Sequence, residues 1–199
     1  MDILAMTTMF IDHLGISLFP DNEIFRIIGR LAFPLYAYSL AVGFIKTHSR
    51  KNYIQRLFRL ALVSQIPYML LLNTKGLNVI FTLLLSLIVL IEFEKYDSIA
   101  KRITIVLAGC LIATVCNMSY GAYCILLVLA YYKIKGIKLV LAHVVLNIVT
   151  LMPPIQMYSI TANMLLKYQN IRLVNKQIYR YFYPAHLAVL VGVKYALGG

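Results

Sequence analysis

Apolar residues run through this chain in long blocks, and the polar residues gather in short breaks between them. The breaks are Pro20–Asn22, His48–Asn52, Asn73–Gly76, Tyr96–Ala100 and Lys133–Lys138. The runs lie at about 3–19, 23–46, 53–73, 77–95, 101–117, 119–134, 137–152, 154–168 and 181–197, most of them near the roughly 20 residues that a helix needs to cross the hydrocarbon layer. The pattern predicts an all-α fold, a polytopic membrane helix bundle of about nine transmembrane helices. It reads as a single domain over 1–199, with no linker and no stretch left for a soluble domain. The eighth run is short, follows Pro153–Pro154 and holds Thr161 and Asn163, so a half-helix or re-entrant segment is the alternative there. Met1–Phe19 lacks a basic start and a small-residue cleavage site and carries Asp12 and His13, so it reads as the first permanent span.

Composition agrees with that solvent. The chain is 61% hydrophobic, against about 45–50% for an ordinary soluble domain. Its net charge of +12, from 19 Lys+Arg and 7 Asp+Glu, would point to nucleic acid in a soluble protein. Here it points to charge bias across a membrane, and no nucleic-acid partner is expected. With the amino terminus inside, the even-numbered connections face the cytoplasm. The second carries Lys46, Arg50, Lys51, Arg56 and Arg59, the fourth Lys95, Lys101 and Arg102. The sixth carries Lys133, Lys135 and Lys138, the eighth Lys167, Arg172, Lys176 and Arg180. These are fifteen of the 19 basic residues, and of the rest only Lys75 lies in an outside loop. The expected location is the bacterial cytoplasmic membrane, with lipid as partner, the amino terminus in and the carboxyl terminus out. The 15 tyrosines must supply any aromatic belt, since there is no tryptophan. Cys110, Cys116 and Cys124 match no metal spacing; they read as small apolar residues, and no metal is expected.

Charged and titratable residues inside a span cost about 2.5–3.5 kcal/mol on insertion scales, so each asks for a reason. Four stand out on the first two spans: Asp12, His13, Arg26 and Arg30. Counted from the span ends, His13 lies roughly 15 Å from the inner start and Arg30 roughly 10 Å below the outer start, at similar depth. Arg26 and Arg30 share a helix face, and Asp12 is a natural counter-ion for one of them. An inert ion pair holding two helices together accounts for Asp12 and one arginine, but not for His13 or the second arginine. A histidine in such a place suits proton transfer near neutral pH, a neighbouring carboxylate can fix its tautomer, and an arginine can stabilise an oxyanion. These are the parts of an acyl-transfer site. A second cluster, Tyr179-Arg-Tyr-Phe-Tyr-Pro-Ala-His186, opens the last span, with Pro184 in its first turn and Tyr183 and His186 on one face. It reads either as an interfacial aromatic belt with one satisfied histidine or as a cofactor mouth or second site histidine. His143, Asn78, Thr82 and Asn147 read as inter-helix hydrogen-bonding residues.

Several blocks carry a family resemblance. Met9-Phe-Ile-Asp-His-Leu-Gly15 and Phe25-Arg-Ile-Ile-Gly-Arg-Leu-Ala-Phe-Pro-Leu-Tyr-Ala-Tyr38, then Gly43-Phe44 and a basic loop, resemble the opening of the TraX family, named for the conjugative pilin acetylase. Ser64-Gln-Ile-Pro-Tyr68, Leu77-Asn-Val-Ile-Phe-Thr82 and Tyr181-Phe-Tyr-Pro-Ala-His-Leu187 match in order over nearly the whole chain. The stretch 167–176 departs from the family pattern, which has Asn-Gly before the last aromatic block, whereas this chain has no glycine there. The resemblance implies a membrane-embedded acyltransferase moving an acetyl group from acetyl-CoA to an amino group of a peptide or protein. By it, His13, Asp12 and Arg30 are catalytic. Arg26, Arg30, Arg172, Lys176, Arg180, Tyr183 and His186 face the acyl donor, the basic loops holding its anionic nucleotide. Acetylation of a glycan or lipid hydroxyl, or a non-enzymatic carrier with an Asp/His/Arg relay, are the alternatives.

Overall fold

The computed structural model describes residues 2–166 and 175–198, without the side chain of Lys176. Among these residues the chain is all-helical: ten α-helices, one 3-10 helix and no strand, the only β feature being an isolated bridge between Leu77 and Met118. The residues fall into two compact units, Met1–Tyr36 with Val63–Lys75 and Leu151–Gly199, and Ala37–Leu62 with Gly76–Thr150. Helices α3 (Ala32–Lys46) and α4 (Arg50–Leu72) contribute residues to both.

The first unit is built on a hairpin of α1 (Asp2–Leu18) and α2 (Glu23–Gly29). The turn between them ends where Asn22, in extended conformation, accepts a hydrogen bond from the Ile24 N–H through its side chain at 3.1 Å. This satisfies one of the free donors of the α2 N-terminus. Two glycines set how closely the helices approach. A methyl at Gly15 would overlap Phe25, and one at Gly29 would overlap the Asp12 side chain. The apolar run 23–46 does not form one continuous helix: α2 stops at Gly29 and α3 starts at Ala32, with Arg30 at the break. Pro34 is the physical reason. It has no N–H to offer the carbonyl four residues back, which is that of Arg30, and its ring crowds that carbonyl.

Glu23–Lys46, taken across this break, is the one stretch among the described residues long and apolar enough to cross a membrane. The residues 154–168 are not an α-helical span. A 3-10 helix occupies Pro154–Thr161, followed by the single turn α9 (Ala162–Leu165), and 167–168 lie outside the described residues. At three residues per turn, positions 156, 159 and 162 stack on one face, and Gln156, Ser159 and Ala162 are all buried. Ala162 joins Ala5 and Leu35 in a small apolar core. Helix α10 (Lys176–Ala196) starts a turn and a half before the position expected from the apolar run, because Asn175 caps it through the Gln177 N–H at 2.8 Å. Pro184 therefore lies inside α10 rather than in its first turn.

The second unit packs α5 (Val79–Lys95), α6 (Ile99–Val115), α7 (Gly121–Lys133) and α8 (Ile137–Val149). Val89, Ala113 and Ile125 form its core, and Gly109 lets α6 lie against Val89. Several of its buried polar residues bond across elements. Tyr123 and His143 share a hydrogen bond of 2.7 Å between α7 and α8, Asn78 donates to the Ala61 carbonyl at 2.8 Å, and Thr82 donates to the Ser119 carbonyl at 2.7 Å. Asn147 donates instead to its own helix, at the His143 carbonyl. Of the three cysteines only Cys124 is buried; Cys110 is half-buried and Cys116 exposed.

Candidate functional site

The site is assembled wholly within the first unit. Consecutive residues on an α-helix point about 100° apart, so Asp12 and His13 face different neighbours. Asp12 turns to α2. Its Oδ1 and Oδ2 accept two hydrogen bonds from Arg30 Nη2, at 2.8 and 3.0 Å, and Oδ1 lies 3.1 Å from Arg26 Nη1. Asp12 and Arg30 are buried, and Arg26 is half-buried. Arg30 is held further: its Nε donates to the Arg26 carbonyl at 3.3 Å and its Nη1 to Gln156 Oε1 at 3.0 Å. Two guanidiniums thus share one carboxylate, and the group keeps one positive charge in excess. Arg30 is fixed on three sides because the Pro34 break places it at the end of α2, where its side chain meets both α1 and the 3-10 helix.

His13 turns instead to α10. Its Nδ1 lies 2.7 Å from Nε2 of His186, and the two rings stack at 5.0 Å. His186 Nδ1 lies 2.7 Å from the Phe182 carbonyl. A carbonyl only accepts, so His186 Nδ1 carries the hydrogen. In a neutral pair His186 Nε2 is then an acceptor, His13 Nδ1–H donates to it, and the lone pair of His13 sits on Nε2. Tyr183 packs edge-on to both rings, at 6.1 and 5.6 Å, Phe10 edge-on to His186 and Phe182 flat against it. This collar fixes the ring planes, and one tautomer of His13 follows from a single backbone carbonyl on α10.

The structure therefore brings Asp12, His13, Arg26, Arg30, Tyr183 and His186 into one unit, with His186 rather than Asp12 as the partner of the His13 ring. Arg180 is half-buried on α10 and shares no hydrogen bond or ion pair with these groups among the described residues. Arg172 and the side chain of Lys176 lie outside them. Gln156 is the member that sequence reasoning did not single out. Its signal, an amide in an apolar run just after Pro153–Pro154, was present, but its partner Arg30 is 126 residues away.

Similarity to known proteins agrees with the motifs that frame these residues. A family model described as TraX protein matches residues 1–194. The chain belongs to the TraX family. This TraX protein is also 26% identical to "Probable fimbrial assembly protein FimC, serogroup H1" of Dichelobacter nodosus, over 96% of its own length and 93% of the relative's. No solved structure matches it.

Proposed function

We propose that this TraX protein is a multi-pass membrane acyltransferase that moves an acetyl group from acetyl-CoA to an amino group of a peptide or protein, with His13 as the base. The observation that carries the reading is the fixed chain Phe182 carbonyl, His186, His13, which leaves a lone pair on His13 Nε2 in the same unit as an arginine pair of net positive charge. A base and a cationic stabiliser are what acyl transfer from a thioester asks of a protein. The acceptor nitrogen attacks the thioester carbonyl carbon and a C–N bond forms. The carbonyl electron pair moves to oxygen, facing the guanidinium of Arg30, while His13 Nε2 takes the proton from nitrogen. The oxyanion then collapses, the C–S bond breaks, and the departing thiolate takes the proton back from His13. Asp12 binds no substrate here; it neutralises one of the two buried cations and fixes both.

The membrane setting is supported by what the helices leave uncovered. Along α6, Ile99, Ile103, Leu107, Leu111 and Val115 recur every four residues and are all exposed, as are Phe58, Leu62, Ile66 and Leu70 along α4. Contiguous apolar stripes of this kind mark a surface meant for something other than water. With fifteen basic residues in the even-numbered connections, the reading places the amino terminus and the acetyl-CoA side in the cytoplasm. The relative's name ties that protein to fimbrial assembly, which supports a fibre subunit as the acceptor. The test is transfer of radiolabelled acetyl from acetyl-CoA into protein in membranes holding the wild type or His13→Ala. Loss of a general base lowers turnover by about 10²–10⁴-fold. Transfer at the wild-type rate by His13→Ala would remove His13 from the mechanism.

A further inference from the structure

Gln156 is the most deeply buried polar residue at the site, 1% exposed, and its amide is half used. Oε1 accepts from Arg30 Nη1, and since a guanidinium has no acceptor, the amide can be oriented only this way round. Nε2 is thereby the amide atom that does not bond Arg30, and among the described residues it has no hydrogen-bond partner. A buried N–H2 without an acceptor is costly, and rare enough in native proteins to need a cause. The surroundings narrow the cause to an anionic or strongly accepting oxygen. The nearest charges sum to one positive, Arg26 and Arg30 against Asp12, and the amide adds an N–H donor beside Arg30. Nor is the residue held loosely. Pro153–Pro154 start the 3-10 helix, and its three-residue period puts Gln156 on the buried face with Ser159 and Ala162.

We propose that Gln156 is a second catalytic residue: Nε2–H donates to the oxygen that becomes negative when the thioester carbonyl is attacked, beside the Arg30 guanidinium. The inference rests on the acyl-transfer reading above. It assigns to Gln156 a neutral donor whose benefit appears only as the carbonyl oxygen gains charge, so it acts on turnover rather than on acyl-donor binding. The Oε1 contact has a separate task, holding Arg30 at the same oxygen.

Two variants separate these tasks. Gln156→Glu keeps an oxygen for Arg30 but replaces the N–H2 by an acceptor, and Gln156→Met removes both. Radiolabelled acetyl transfer from acetyl-CoA into protein is measured in native membranes, with each variant's membrane content matched by immunoblot and its melting compared with the wild type. Both variants are expected to lose about 10²–10³-fold in kcat, with the KM for acetyl-CoA changed by less than about threefold. A Gln156→Glu enzyme that keeps the wild-type kcat while Gln156→Met loses it would show that the residue only positions Arg30, and would overturn the inference. So would a rise in KM with kcat unchanged, or a wild-type kcat in both variants, while His13→Ala in the same assay still abolishes transfer. Wild-type membranes that transfer no acetyl group, or transfer that survives His13→Ala, would overturn the acyl-transfer reading and this inference with it.

Discussion

A single proton position decides what His13 can do. The Phe182 carbonyl forces the hydrogen of His186 onto Nδ1, and through it the hydrogen of His13 onto Nδ1. In the proposed mechanism His186 is a positioning residue, acting through His13 rather than on a substrate. The sequence placed it in a closing aromatic motif and, with the family resemblance, against the acyl donor; a backbone acceptor one turn back in the same helix cannot be read from residue types. The two roles give opposite kinetics. If His186 pins the tautomer, His186→Leu lowers kcat by on the order of 10²-fold, the low end for disabling a general base. His186→Gln, which can still present an acceptor to His13 Nδ1–H, recovers part of that loss, and the KM for acetyl-CoA stays put in both. A raised KM with intact kcat would instead put His186 on the donor. The adjacent carboxylate, the more obvious orienting group on paper, faces α2 instead, where its oxygens meet Arg26 and Arg30.

At the scale of elements, the α1–α2 hairpin is a precision part. Gly29 sits on α2 directly against Asp12, and a methyl there would overlap its Cβ, Cγ and Oδ1. Gly29→Ala gains the better helix former, worth about 1 kcal/mol, but overpacking a tight contact costs about 1–3 kcal/mol and pushes Asp12 off the two arginines. The expected result is a lowered melting temperature and a loss of acetyl transfer together. Gly192→Ala on α10, where nothing lies within 4 Å of the new methyl, is the control: melting unchanged or raised, activity intact. Equal behaviour of the two variants would mean that the hairpin tolerates separation and that the Asp12 cluster does not depend on it. The hairpin was legible in the sequence because its turn and paired charges are local. The 3-10 segment was not, because a period of three over Gln156, Ser159 and Ala162 looks like an irregular apolar run when helical or strand spacing is sought. The break at Arg30 was signalled by Pro34 four residues on, but a run of apolar residues on either side hid it.

For the whole molecule, the helical class follows from the unbroken apolar blocks, and the buried pairs of the second unit, such as His143 with Tyr123, follow from polar residues set in them. Crossing number is harder to read, because it depends on a solvent that leaves its mark only as uncovered surface. The eighth run shows the difficulty. A 3-10 helix of eight residues at about 2 Å each and the four-residue turn α9 at about 1.5 Å each extend roughly 22 Å, short of the roughly 30 Å hydrocarbon layer. Charge argues for the opposite outcome, since Arg172, Lys176 and Arg180 would all lie outside if the run turned back. Thiol labelling decides between orientations without disturbing the site. Cys116 is exposed at the end of α6, in a connection that the charge bias puts outside, while Cys124 is buried. A membrane-impermeant maleimide added to intact spheroplasts is expected to label the native protein at Cys116. Ser49→Cys in a Cys116→Ser background, in the basic second connection, should label only after permeabilisation. Adding Asn175→Cys to that background tests the eighth run, because labelling there before permeabilisation means that 154–168 re-enters and the carboxyl terminus is cytoplasmic. Labelling of Ser49→Cys in intact spheroplasts would invert the hairpin and overturn the proposed cytoplasmic side for acetyl-CoA, because the basic second connection would then face outward.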